Sequence, residues 1–236
     1  MLSLLTLGFL YGIAHAFEAD HLAAVSALVT GRSDRKAIIK RGALWGLGHT
    51  ITLLLVGGTV LALNSAIPAR IATELEMAVG VMLVGLGGHV LYRLRRDRLH
   101  FHRHSHGDGV EHLHLHSHRS DSKPHRAAQH RHTHPDPTAW RALIVGVMHG
   151  LAGSAALVLV TAATLQSPLA GIGYIALFGL GSILGMAGIS TLIAVPMAYC
   201  ARYLTRANLA LQLAIGALTI AIGAHTIQHA ASLLIS

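Results

Sequence analysis

An all-α fold, a polytopic membrane protein of six transmembrane helices built as two inverted three-helix repeats, is predicted by three observations. Apolar residues, 53% of the 236, gather in long blocks, and charged residues are only 12%, against roughly 25% in typical soluble domains. The basic residues fall almost entirely on alternate connections between those blocks. Finally, three short patterns of the first half recur in order in the second.

The blocks read as spans at about 2–30, 42–64, 74–94, 139–164, 169–199 and 207–234, each long enough for the ~20 residues that cross a bilayer. This divides the chain into a first repeat (1–94), a histidine-rich loop (95–138) and a second repeat (139–236). Of the 18 Lys and Arg residues, only Arg70 falls in a loop of the even-numbered set. The positive-inside rule therefore makes the histidine-rich loop cytoplasmic, leaves both termini outside, and places the chain in the inner (cytoplasmic) membrane. The net charge of +8 is thus a topology signal rather than a nucleic-acid footprint.

The first span carries the chemistry. It reads His15-Ala16-Phe17-Glu18-Ala19-Asp20-His21, four ionisable side chains at a depth where each needs a compensating partner. A dehydrated cation is a natural one. With no basic n-region and two acidic residues, this segment is expected to be a span and not a cleaved leader. On a straight helix Glu18 would lie about 60° from His15, and Asp20 about 140° round the other way, with His21 ~9 Å along the axis from His15. If His15, Asp20 and His21 bind one ion, the helix is not regular between them.

The second span adds Gly46-Leu47-Gly48-His49-Thr50 and the third His89. In the fourth, Gly146-Val147-Met148-His149 repeats Gly12-Ile13-Ala14-His15, 134 positions later. Ala176 to Ser182 repeats Ala43 to His49 at an offset of 133, and Leu75, Ala78, Gly80, Gly87 and His89 return as Leu211, Ala214, Gly216, Gly223 and His225 at 136. Three spans per half reverse the second half's orientation, an arrangement in which transporters bind cargo near the midplane between repeats. The halves are chemically unequal: Ser182 stands where the first half has His49, which makes the first the ligand half. Pro196 is expected to kink or end the fifth span. Cys200, the sole cysteine, reads as a buried thiol. No nucleotide-binding loop is present.

Imidazoles with carboxylates suit borderline divalent metals, Ni, Co, Zn or Cu, better than Mg or Ca. Residues 100–134 hold twelve of the nineteen histidines. His100, His102, His104 and His106, then His112, His114, His116 and His118, alternate with other residues. Such a segment cannot bury a core and is expected to be disordered without ligand while binding metal as an accessory site.

The first motif resembles the His-x4-Asp-His signature of the nickel/cobalt transporter superfamily, with Glu18 where an Asp is usual. Gly46 to Thr50 is similar to that family's second motif. Met148-His149-Gly150-Leu151-Ala152-Gly153-Ser154 resembles a stretch of the branch holding urease-accessory-type membrane proteins and efflux-type permeases. The resemblance implies that Ni2+ or Co2+ is the transported substrate, with no permanently bound cofactor, and gives His15, Asp20, His21 and His49 the transport role; Glu18 and His149 complete the candidates. It implies a permease working with a divalent cation and the bilayer; the inverted repeat argues for transport rather than an enzyme, and handing metal to a metallochaperone is one role open to the loop. Extra spans of the eight-span uptake members are missing, so direction stays open. Efflux of another divalent metal such as zinc or cadmium, and a non-transporting metal-binding accessory role, are the alternatives.

Overall fold

The computed structural model describes residues 2–30, 35–63, 67–96, 100–105, 111–116, 139–150, 164–165 and 167–235. Seven helices are seen among these: α1 (Leu2–His15), α2 (Ala19–Val29), α3 (Arg35–Ala62), α4 (Ala69–Arg96), α5 (Ala139–His149), α6 (Pro168–Tyr203) and α7 (Thr205–Ile235). Four of them contain apolar stretches of bilayer length, Lys36–Ala62, Ala69–Arg96, Pro168–Met197 and Arg206–Ile235. Leu55, Leu192 and Leu218 point outward from these helices, each more than half exposed. On helices of this length such a surface belongs against lipid.

The expected first span, 2–30, is two helices. α1 closes at His15 with the short-range bonds Phe17 N to Ala14 O (2.9 Å) and Glu18 N to His15 O (3.1 Å). Glu18 is extended (φ −62°, ψ 149°) and supplies the first carbonyl of α2, but its side chain makes no capping bond there. It turns back to His15 instead. The expected span 139–164 is described only through α5 and Gly150; its remainder lies outside the described residues. Pro196 does not end the fifth span, because α6 continues to Tyr203. A membrane helix tolerates the lost N–H where its surroundings satisfy the freed carbonyl.

Between α4 and α5 the expectation of a segment without regular structure is not met throughout. His100–Ser105 and Glu111–His116 form an antiparallel ribbon, pairing His100 with His116, His102 with His114 and His104 with His112. The period-two alternation that spaces these histidines is also the period of a strand. His106 and His118 lie outside the described residues.

The helices pack reciprocally. α1 lies on α6 while α5 lies on α3, and α3 meets α6 as α4 meets α7. A side chain on Gly12 would strike the backbone of Phe178, and one on Gly146 would strike that of Trp45. Gly48 abuts Leu143 and Val147 in the same way that Gly181 abuts Phe9 and Ile13. Every residue in the first member of each pair is offset from its counterpart by the repeat spacing read from the sequence. Hydroxyls bridge the same seams: Thr50 to Gly179 O, Thr52 to Val147 O and Ser182 to Gly12 O, at 3.0–3.2 Å. Small residues and such bridges are how membrane helices hold together without a hydrophobic driving force.

Candidate metal centre

The break after α1 brings His15 and His21 together. On a continuous helix they would sit over a turn and a half apart; here their ring centroids are 4.2 Å apart. α3 contributes His49, with centroids 5.1 Å from His15 and 5.4 Å from His21. The last residue of α5 contributes His149, 4.2 Å from His21. All four rings are buried, none more than 5% exposed.

Two carboxylates hold the rings. Glu18 Oε1 lies 2.9 Å from His15 Nδ1. Asp20 holds two rings at once, its Oδ1 2.9 Å from His21 Nδ1 and its Oδ2 3.1 Å from His149 Nε2. Its Oδ1 also accepts the backbone N–H of His21 at 2.8 Å. An ionised carboxylate can only accept, so each facing imidazole nitrogen carries the proton and the opposite nitrogen presents a lone pair. This is the arrangement by which carboxylates orient histidine ligands from behind. Asp20 is about one third exposed and Glu18 about half, so the negative charges sit at the margin of the imidazole cluster.

The opposite nitrogens are the ligand candidates. His21 Nε2, His149 Nδ1 and His49 Nδ1 are buried and find no hydrogen-bond partner among the described residues. Burying a polar atom unsatisfied costs free energy, so such atoms mark places where another partner is expected. His15 Nε2 and His49 Nε2 face each other at 3.2 Å, a pair that one proton can bridge or two lone pairs can share with a cation. Ligand atoms of His15, His21 and His49 fall within 4.8 Å of one another, and so do those of Asp20, His21 and His149. His21 belongs to both sets. The chemistry of the donors, imidazole nitrogen backed by carboxylate, fits a borderline divalent transition metal.

All six predicted residues of the membrane part are therefore gathered in one place. The structure separates their roles more than the sequence did: Glu18 and Asp20 stand behind the rings, and His149 is as close to His21 as His15 is. Two aromatic walls went unmarked as site residues. Trp45 lies 5.2 Å from His21 and 5.5 Å from His149, and Phe178 lies 5.2 Å from His15. They occupy matching places in the repeat, which is the signal that could have found them. Of the loop histidines, the structure describes the backbone alone of His100, His102, His104, His112, His114 and His116.

Bilayer-length apolar helices define a multi-pass membrane protein, and the buried imidazoles with carboxylate backing among them are a candidate site for a divalent cation. Comparison with known proteins agrees. The family described as "High-affinity nickel-transport protein" (NicO) matches residues 1–233, and the chain belongs to that family, a transporter family and not an enzyme family. It is 36% identical to the urease accessory protein UreH of Bacillus sp. (strain TB-90), over 90% of this chain and 86% of that one. It is 26% identical to the chloroplast protein FOR GROWTH AND FERTILITY 1 of Arabidopsis thaliana over 76% of this chain, which spans under half (46%) of that protein. No solved structure matches.

Proposed function

We propose that this protein carries Ni2+ or Co2+ across the inner (cytoplasmic) membrane through the centre formed by His15, His21, His49 and His149, with Glu18 and Asp20 orienting the imidazoles. The observation that carries this reading is the helix break at Ala16–Glu18, which lets one short segment offer His15 and His21 to the same point. Discontinuous helices at a midplane site are how many secondary transporters hold ions. The reciprocal packing supports two three-span repeats related by inversion, and the one-sided distribution of Lys and Arg supports termini outside with the histidine-rich loop cytoplasmic. Alternating access then consists of one repeat rocking against the other around His21, which belongs to both candidate ligand sets. Asp20 and Glu18 supply negative charge close to the cation without occupying the imidazole sites.

A second reading, a metal-binding accessory that does not translocate, is favoured by the 36% identity to a urease accessory protein. One experiment separates the two. Purified protein is placed in liposomes loaded with a nickel-sensitive dye, and influx is followed for wild type and His21→Ala. Influx by wild type and none by the variant supports transport through this centre. Nickel binding by wild type without influx favours the accessory role. Equal influx by both proteins overturns the site assignment. The direction in cells follows from the sign of the change in metal content on expression.

A further inference from the structure

Four buried side-chain atoms around the metal centre find no hydrogen-bond partner among the described residues: His21 Nε2, His49 Nδ1, His149 Nδ1 and Trp45 Nε1. The unpartnered nitrogens of His21 and His149 present lone pairs, because Asp20 faces the proton-bearing nitrogen of each ring. A cation satisfies both. Trp45 Nε1 differs in kind: an indole nitrogen gives a hydrogen and has no lone pair to offer, so no cation can satisfy it. The residue is 0% exposed, and a donor buried unpaired forfeits the hydrogen bond it had in water. The indole stands 5.2 Å from the His21 ring and 5.5 Å from that of His149. Cδ1, the atom bonded to Nε1, lies 2.9 Å from where a Cβ on Gly146 would stand. The polar edge of the indole is therefore turned to α5, three residues before His149.

The repeat separates what the ring does from what the N–H does. At the place matching Trp45, 133 positions later, stands Phe178, which lies against His15 at 5.2 Å. A phenyl ring thus suffices as a wall beside an imidazole, and the indole adds a donor. We infer that Trp45 is a specificity-determining residue of the metal centre, its Nε1–H donating to a water molecule that the cation keeps as a ligand. This rests on the imidazole cluster being the cation site, and not on whether the ion crosses the membrane. A water on a metal spends one lone pair on the ion and keeps another with which to accept. The ion is then held by imidazoles and at least one oxygen. Such a set suits Ni2+ and Co2+, which commonly take five or six ligands, better than Zn2+, which settles for four. Trp45 therefore favours nickel and cobalt over zinc.

Full-length protein carrying Trp140→Phe keeps Trp45 as its one tryptophan, and ultraviolet resonance Raman then reads the indole N–H vibration of Trp45 with no change at the centre. On adding Co2+ the band should move to the position of a hydrogen-bonded indole, equally in chloride and in nitrate buffer, and His21→Ala should abolish the shift. Trp45→Phe, measured as the difference from His21→Ala so that the histidine-rich segment cancels, should weaken Co2+ and Ni2+ binding about tenfold, as for a group that supports a metal ligand. Zn2+ binding should stay within about twofold, which also shows that the variant folds. The visible absorption of bound Co2+ should gain the stronger bands of a four-coordinate ion. An unchanged indole band with Co2+ bound overturns the role of Trp45 alone. A shift seen only in chloride makes the acceptor an anion and overturns the water, and equal losses for all three metals reduce Trp45 to a wall. Absence of Co2+ binding beyond that of His21→Ala overturns the metal centre itself.

Discussion

α1 in the first half and α5 in the second both finish on a histidine three residues after a glycine, and both glycines press against an aromatic residue's backbone in the opposite half. From that common geometry the halves diverge. The first continues through a three-residue break into α2 and delivers Glu18, Asp20 and His21. It also places His49 on α3. The second places Ser182 at the corresponding point of α6, and Ser182 spends its hydroxyl on Gly12 O at 3.2 Å. One packing scheme thus serves two contents: the second half repeats the scaffold and supplies one imidazole, while the first adds the carboxylates and the remaining rings. The difference teaches that the close helix contacts constrain both halves alike, whereas the two carboxylates and His21 come from the helix break of the first half.

The sharpest way to break this comparison is to remove one residue from each side. His21→Ala takes away the ring shared by both candidate ligand sets and should lower nickel influx into liposomes to about a hundredth of wild type or less. Ser182→Ala loses a single interhelical hydrogen bond, a contact commonly worth about 0.6 kcal/mol in membrane helices. It should leave influx within about threefold. A large loss in Ser182→Ala would mean that α6 too has a direct part in handling the ion.

The shared scaffold makes its own prediction. Gly12→Leu and Gly146→Leu each force a side chain into backbone of the opposite half, and overpacking of this kind costs about 1–3 kcal/mol or more. Because the two contacts are equivalent, both variants should lower the unfolding temperature in detergent by similar amounts. Tolerance of one but not the other would show that the halves are not packed by one rule.

Within the ligand half, the two carboxylates should differ. Asp20 orients His21 and His149 together, whereas Glu18 orients His15 alone. Loss of such a supporting group typically costs 10- to 100-fold in metal affinity. Asp20→Ala is expected near the upper end of that range and Glu18→Ala near the lower, measured by competition with a nickel-binding dye. The reverse order would make Glu18 a ligand in its own right.

The sequence made much of this legible, and for identifiable reasons. Long apolar runs report on bilayer thickness, which acts on every residue of a span. The repeat was visible because the close contacts at Gly12 and Gly146 leave no room for other residues. The helix break was legible only as a conditional, since the angles of a regular helix exclude a joint site for His15, Asp20 and His21. Which side of each imidazole faces the centre was not legible, because it depends on Asp20 reaching across 129 positions to His149. Trp45 and Phe178 were hidden in plain composition: aromatic residues in a membrane helix are read as packing until their neighbours are known. Of the two outcomes expected at Pro196, the end of the helix did not occur, because a proline's cost is set by what surrounds the freed carbonyl and not by the proline itself.

The smallest expected effect concerns the histidine-rich segment, and it separates the two candidate metal-binding regions most cleanly. Imidazole in model peptides loses its proton near pH 6.5. Only neutral imidazole binds metal, so binding by this segment is present above that pH and is lost as pH falls through it. Full-length protein at pH 7.5 should therefore bind several more equivalents of nickel than the deletion of 100–134, and the surplus should vanish by about pH 5.5. Equilibrium dialysis at the two pH values reads this directly. The deletion should keep the membrane centre's affinity and lower influx at saturating nickel by no more than about twofold, because the gathered rings of α1, α2, α3 and α5 owe nothing to the segment. If the deletion abolishes influx at saturating nickel, the segment is an obligatory station on the ion's route, and the four buried imidazoles do not suffice for transport.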